Sequence, residues 1–216
     1  VWAPHDIPQV KEFINCWQDL ALKNGLPGIH FVGYTSNTSK ALPGQKYNMY
    51  NTNLAAEYYK SIIDLGFDAV ISSGLTRAQA VAQGRLSLIW NILSYTTSLP
   101  SRSRYDYGKV MKHYYVPEDA WENVYPTLLP QWDRTPRAGS KTDFLINSTP
   151  QKFEETVKAA LNVIENKEDE HKILFLKAWN EWGEGNYLEP DKKFGYQYIE
   201  QIKNTSPILI AILFLL

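Results

Sequence analysis

Apolar positions along this chain recur in two periods that take turns. Over residues 8–24, Val10, Phe13, Ile14, Trp17, Leu20 and Ala21 return at helical spacing and Gly25 supplies a stop, so the spacing predicts an amphipathic helix. Residues 28–35, GIHFVGYT, are short, apolar and rich in β-formers, which predicts a buried strand ahead of a polar stretch holding Pro43 and Gly44. The unit then repeats. Asn53 stands where a helix cap belongs, Leu54, Tyr58, Ile62 and Leu65 share a face, Gly66 ends the run, and FDAVISS at 67–73 reads as a second strand.

Further on, residues 77–93 and 107–115 predict two helices around a Ser/Arg-rich segment, and 124–133 predicts a strand running into the polar loop TPRAGSKTD. Thr149 and Pro150 make a cap and first-turn pair ahead of Phe153, Val157, Ala160, Leu161 and Ile164 on one face. ILFLKAW at 173–179 is the most strand-like stretch, and Phe194, Tyr198, Ile199 and Ile202 place a last helix over 194–203. The apolar run 208–216 falls well short of the roughly 20 residues that span a bilayer, so it predicts a buried terminal element or a segment cut short.

Continuous apolar strands alternating with helices predict an α/β fold, a parallel sheet covered by helices. About four strands would form either a small open sheet or half of an eight-stranded barrel. Both architectures collect chemistry at the C-terminal ends of their strands. WNEWGEG, WDRTPR, the Tyr34 loop and the Ser72-Ser73-Gly74 turn are therefore expected on one edge.

Composition narrows the function classes. With 22 basic against 23 acidic residues, and no long Lys/Arg cluster, no nucleic-acid partner is expected. The single cysteine, Cys16, makes no intrachain disulfide, and its apolar helical setting predicts a buried spectator thiol. Four scattered histidines without HxxxH or CxxC spacing predict no metal site, and the absence of GxSxG and GxGxxG argues against a serine hydrolase or a dinucleotide-type phosphate cradle. No cofactor is expected. The opening VWAPHDIPQV has neither the basic nor the apolar region of a secretory leader and reads as the middle of something longer. N-x-S/T triplets at Asn37, Asn147 and Asn204 are no more than chance supplies.

Aromatics are the outlier, at 13% of the chain with seven Trp, and indole and phenol faces are what sugar rings stack on, although most are expected to fill a core. In WNEWGEGNYLEP at 179–190, Glu181 and Glu184 stand three positions apart between Trp179, Trp182 and two glycines. Paired carboxylates serve glycosyl transfer: one protonates the leaving oxygen, the other assists attack at the anomeric carbon. Burial beside indoles is the device that would keep one of them protonated. The alternative is equally open: solvated loop charge, or an ion pair holding Arg134 or Arg137 in place. WDRTPRAG supplies a second constellation, with Trp132 for stacking, Asp133 for sugar hydroxyls and Arg134 or Arg137 for a carboxylate, or else a self-braced Asp-Arg loop. Tyr34 is a further candidate at a strand exit, whereas His30 is expected to be a satisfied core imidazole.

KAWNEWGEGNYLEPD with FGY behind it, LLPQWDRTPRAG, GLPGIHFVG and GFDAV, in this order and spacing, resemble the glycoside hydrolase family 99-like domains, many labelled WbsX-type glycosyltransferases of bacterial polysaccharide loci. The resemblance covers nearly the whole chain. It implies a (β/α)8 TIM-barrel-like fold of which about the last four β/α units are present, the N-terminal half of the barrel being missing. It further implies a retaining endo-mannosidase-like reaction, in which Glu181 deprotonates the sugar 2-hydroxyl and Glu184 is the acid/base on the glycosidic oxygen. Trp182 and Asn180 would shape the pocket with Tyr187 near it, and Trp179, Trp132, Asp133, Arg137 and Tyr34, read above from the residues, complete the expected saccharide contacts. Arg134 stands where relatives more often have Asn, and Gly183 where Ala or His is frequent. The expected partner is an oligo- or polysaccharide; a glycosyltransferase and a non-catalytic carbohydrate-binding fragment are the alternatives. A biosynthetic role would be cytoplasmic and a degradative one periplasmic or secreted.

Overall fold

The structure is a computed structural model, and it describes residues 1–35, 54–82, 104–139 and 142–205. In chain order these form α1 (Val10–Lys23), β1 (Val32–Thr35), α2 (Ala55–Ile63), β2 (Ala69–Ser72), α3 (75–82), β3 (Arg104–Asp106), α4 (Tyr107–Met111), β4 (Val124–Leu128), α5 (Thr135–Ala138), β5 (Phe144–Ile146), α6 (Pro150–Ile164), β6 (Phe175–Leu176), β7 (Asn180–Glu181), β8 (Asn186–Tyr187) and α7 (Gln197–Thr205). The strands β1, β2, β4 and β6 lie side by side in that order, all parallel, with Tyr34 opposite Ile71, Ile71 opposite Tyr125 and Leu128 opposite Leu176. This is the α/β architecture with helix-connected parallel strands, four of them among the described residues.

Side-chain alternation sorts the sheet into two faces. Val70 and Val124 point to one side, where α1 and α2 bring Val10, Ile14, Tyr58 and Ile62 against them. Tyr34, Ala69, Ile71, Tyr125 and Phe175 form the apolar cluster of the other. Toward the far edge, Phe153, Val157 and Ala160 of α6 and Tyr198 and Ile202 of α7 close over Leu128 and Leu176. Thr149 caps α6 through its hydroxyl, which accepts from Lys152 N at 3.3 Å, and Pro150 occupies the first helical position, where a missing N–H costs nothing. A second, two-stranded parallel sheet pairs β3 with β5 and frames the cluster of Tyr107, Val110, Leu129, Trp132 and Leu145.

Several expectations need correction. On α1 only Val10, Ile14 and Ala21 are buried; Phe13, Trp17 and Leu20 are more than 40% exposed, and Cys16 shares their open side, so its thiol is exposed rather than buried. The packed stripe is one residue wide per turn because only one edge of that helix meets the sheet. His30 is exposed as well: it precedes β1, and its ring meets Tyr125 Oη at 3.0 Å from the rim rather than from within the core. The strand expected over 124–133 ends at Leu128, and TPRA is a helical turn, not a loop. Asn53, most of the polar stretch behind β1, the end of the helix expected over 77–93, and the apolar run 208–216 lie outside the described residues. No described helix is long and apolar enough to cross a membrane.

Candidate active site

Parallel pairing points the C-terminal ends of β1, β2, β4 and β6 to one edge, and the chain leaving β4 and β6 there builds the candidate site. After β6 the chain passes a cis Lys177-Ala178 peptide and turns back on itself as a short antiparallel hairpin, in which Asn180 faces Tyr187 and Glu181 faces Asn186. A single 3-10 turn over Trp182–Glu184 joins the two arms. Gly185 closes it at φ +53°, a left-handed conformation that suits glycine, and a Cβ there would stand 2.8 Å from Asp133 Cβ. That close approach allows Asp133 N to donate to Glu184 O at 2.7 Å, so the exits of β4 and β6 are tied backbone to backbone.

The two glutamates meet on one guanidinium. Arg137, from α5, donates through Nη2 to Glu181 Oε1 at 2.7 Å and through Nη1 to Glu184 Oε1 at 3.1 Å. Arg134 Nε approaches the same Glu184 oxygen at 3.4 Å, an ion-pair contact without a hydrogen bond. Glu184 is the more enclosed carboxylate, its side chain 14% exposed against 29% for Glu181, while Arg137 is half exposed. Of the two readings left open by the sequence, the ion pairs are therefore present, and they gather both carboxylates at one place.

Trp182 supplies a flat surface beside them. Its ring stacks on Tyr187 at 3.7 Å between centroids and 14° between planes, and its Nε1 donates to Glu189 Oε2 at 2.6 Å, which fixes the indole while leaving it 46% exposed. Tyr187 in turn donates to Asp191 Oδ2, and burial, then that carboxylate, raises its phenol above the usual range. Trp182, Tyr187, Trp132, Asp133 and Gly185 wall a cavity of about 740 Å³ that runs on past Asn147 and Ser148 to Lys192 and Lys193. Neither glutamate lines this cavity, although Trp182, between them in sequence, does.

The remaining candidates fall in different places. Asn180 is exposed on the hairpin, and Trp179 packs its ring into the cluster under α6 and α7 while its carbonyl accepts from Leu188 N and Glu189 N. Tyr34 is 1% exposed, and its hydroxyl accepts from Lys177 Nζ at 3.1 Å. Asp133 spends Oδ1 on Thr135 N and Oγ1, a local turn that starts α5. Ser73 and Gly74 are packing elements: Ser73 is buried beside Tyr114 Oη, and a Cβ on Gly74 would strike Tyr114 O at 2.0 Å. Sequence reasoning passed over Lys177, whose only signal was a cation at the strand end, and Asn186, fully buried opposite Glu181 with no partner for either amide atom among the described residues. No cluster of metal-ligating side chains occurs among the described residues.

Residues 1–202 match the family model described as Glycosyltransferase WbsX. The chain belongs to this WbsX family. It is thus a member of a carbohydrate-active enzyme family, and the matched residues span both site segments. Uncharacterized protein WxcX from two strains of Xanthomonas campestris pv. campestris is 24% and 23% identical over 93% of this chain. The chain spans about a quarter of the length of those curated relatives. A solved structure described as a glycoside hydrolase-like protein aligns over 92% of this chain and 61% of its own, with a TM-score of 0.41 and 14% identity.

Proposed function

We propose that this WbsX-family chain carries the carboxylate site of an enzyme that cleaves glycosidic bonds within an oligo- or polysaccharide. The observation that carries the reading is the meeting of Glu181 and Glu184 on Arg137, beside the stacked Trp182 and Tyr187. Two carboxylates within reach of one guanidinium are close enough to flank a single anomeric centre, and an exposed indole next to them offers a sugar ring an apolar face.

In this reading Glu181 takes the proton of the sugar 2-hydroxyl, O2 attacks C1 as the C1–O bond to the leaving sugar breaks, and Glu184 gives that oxygen its proton. Water then opens the 1,2-anhydro ring at C1, losing a proton to Glu184, while Glu181 returns a proton to O2. The sum is hydrolysis with retention. Arg137, exposed and joined to both carboxylates, orients them toward the entering sugar, and Arg134 stays at Glu184. The whole barrel implied by the family resemblance would supply the sugar contacts on the side of β1.

Release of reducing ends from α-mannoside and rhamnose-containing polysaccharides tests the reading. Glu181→Gln and Glu184→Gln should each abolish release while glycan binding persists; unchanged turnover in either variant sinks it. The family's description favours a second reading, glycosyl transfer. Transfer predicts product only in the presence of an activated sugar donor and none from polysaccharide and water.

A further inference from the structure

One cation at this edge has no counter-ion among the described residues. Lys177, half buried directly after β6, donates to Tyr34 Oη and lies 4.9 Å from the ring centre of Trp132, 5.5 Å from that of Tyr34 and 5.8 Å from that of Trp2. No carboxylate among the described residues forms an ion pair with it. Aromatic faces offset part of the cost of drawing an ammonium out of water. They accept no hydrogen bond of the usual strength, so the ammonium's other N–H donors are unmatched among the described residues.

The neighbouring wall repeats the imbalance. Trp132, whose ring Lys177 overlies, is 93% buried as a wall of the cavity, and among the described residues its Nε1 has no acceptor and Ser148 Oγ on the same cavity has no partner. Lys192 and Lys193 line the cavity without an ion pair among the described residues. Of the cavity's two acids, Asp191 is engaged with Tyr187 Oη, Lys193 N and Phe194 N, and Asp133 spends one of its oxygens, Oδ1, on Thr135. Lys192 and Lys193 on the cavity, with Lys177 on the ring of Trp132, thus outnumber the two carboxylates at this wall. A neutral sugar hydroxyl is donor and acceptor at once, whereas an anionic group only accepts, and it gains most from charged donors.

We infer that the saccharide read at this edge is acidic, and that Lys177, at the Trp132 wall, takes its anionic group, a uronate carboxylate or a phosphate substituent. The inference rests on the saccharide reading above and adds the class of sugar. It is tested by binding to bacterial polysaccharides that contain uronates, each paired with its carboxyl-reduced form, and to phosphate-bearing polysaccharides, each paired with its dephosphorylated form. The wild-type chain should bind one acidic set at least tenfold tighter than its neutral counterparts, with the preference shrinking as salt rises. The set that shows the preference identifies the anion. Lys177→Gln should lose the preference and keep the neutral affinity, and Lys177→Arg should restore most of it. Equal binding of acidic and neutral forms by the wild type, no binding of any member, or a preference that survives Lys177→Gln overturns the inference. Should Lys177→Gln fail to fold, the wild-type preference and its salt dependence still decide. Turnover separates the two proposals: an acidic preference without cleavage leaves Lys177 in place and removes the hydrolase, and cleavage without preference does the reverse.

Discussion

Arg137 Nη2 stands 2.7 Å from Glu181 Oε1, and the adjacent Nη1 of the same guanidinium reaches Glu184. One planar fork thus sets the orientation of both carboxylates, which a point charge cannot do. Arg137→Met should lower turnover about 10- to 100-fold through lost positioning. Because the pairs are solvent-exposed on the arginine side, stability should change by less than about 1 kcal/mol. Glycan turnover alongside urea denaturation checks this, with Arg137→Lys expected to recover only part of the rate; turnover equal to wild type would remove Arg137 from any positioning role.

Two glycines of nearly equal positive φ separate strain from crowding. Gly195, at φ +55°, has nothing within 4 Å of where a Cβ would stand, so Gly195→Ala should cost about 1 kcal/mol. Gly185→Ala adds a 2.8 Å clash with Asp133 to the same strain and should cost about 2–3 kcal/mol. Thermal melts of the two variants give the comparison.

Core and helix surface respond unequally to the same truncation. Phe153 of α6 is fully buried against Tyr198 of α7, and Phe153→Ala should cost about 3–5 kcal/mol. Phe13→Ala, on the open side of α1 at 42% exposure, should cost less than about 1 kcal/mol by chemical denaturation.

Lys167 gives the protein a rising stability in alkali. It is buried with Nζ donating to Val124 O, and burial pulls its ammonium down to about 8 from its ordinary value near 10.5. Between those values the unfolded chain holds a proton that the folded chain has released. Stability should therefore climb by up to about 1.4 kcal/mol per pH unit above pH 8, level off past 10.5, and be lost again as the pH falls back through 8. Lys167→Met should flatten that climb in denaturation curves taken across the range.

The alternation of β1, α2 and β2 was legible because continuous apolar strands and helical spacing each extend over several residues. So was the start of α6, where Thr149 and Pro150 have a local chemistry of their own. The hairpin of β7 and β8 was not, since arms of two residues carry no periodicity, and β3 was hidden by Arg104 and Asp106 at either end of three residues. Glu181, Glu184, Trp132, Asp133 and Arg137 were all picked out from the residues, yet the joining of the two glutamates by Arg137 spans 44 and 47 positions and depends on the sheet order. Lys177 went unread for the same reason: the rings around it come from Trp2, Tyr34 and Trp132, three separate parts of the chain.

The bond from Asp133 N to Glu184 O has a practical meaning for anyone wishing to change what this edge recognises. The loops after β4 and β6 share one skeleton at that point, with Gly185 pressed on Asp133 to permit it. A loop grafted from a relative onto one strand would arrive without its other half. Exchange of specificity between family members should therefore succeed only when both segments travel together, as a single inherited cassette.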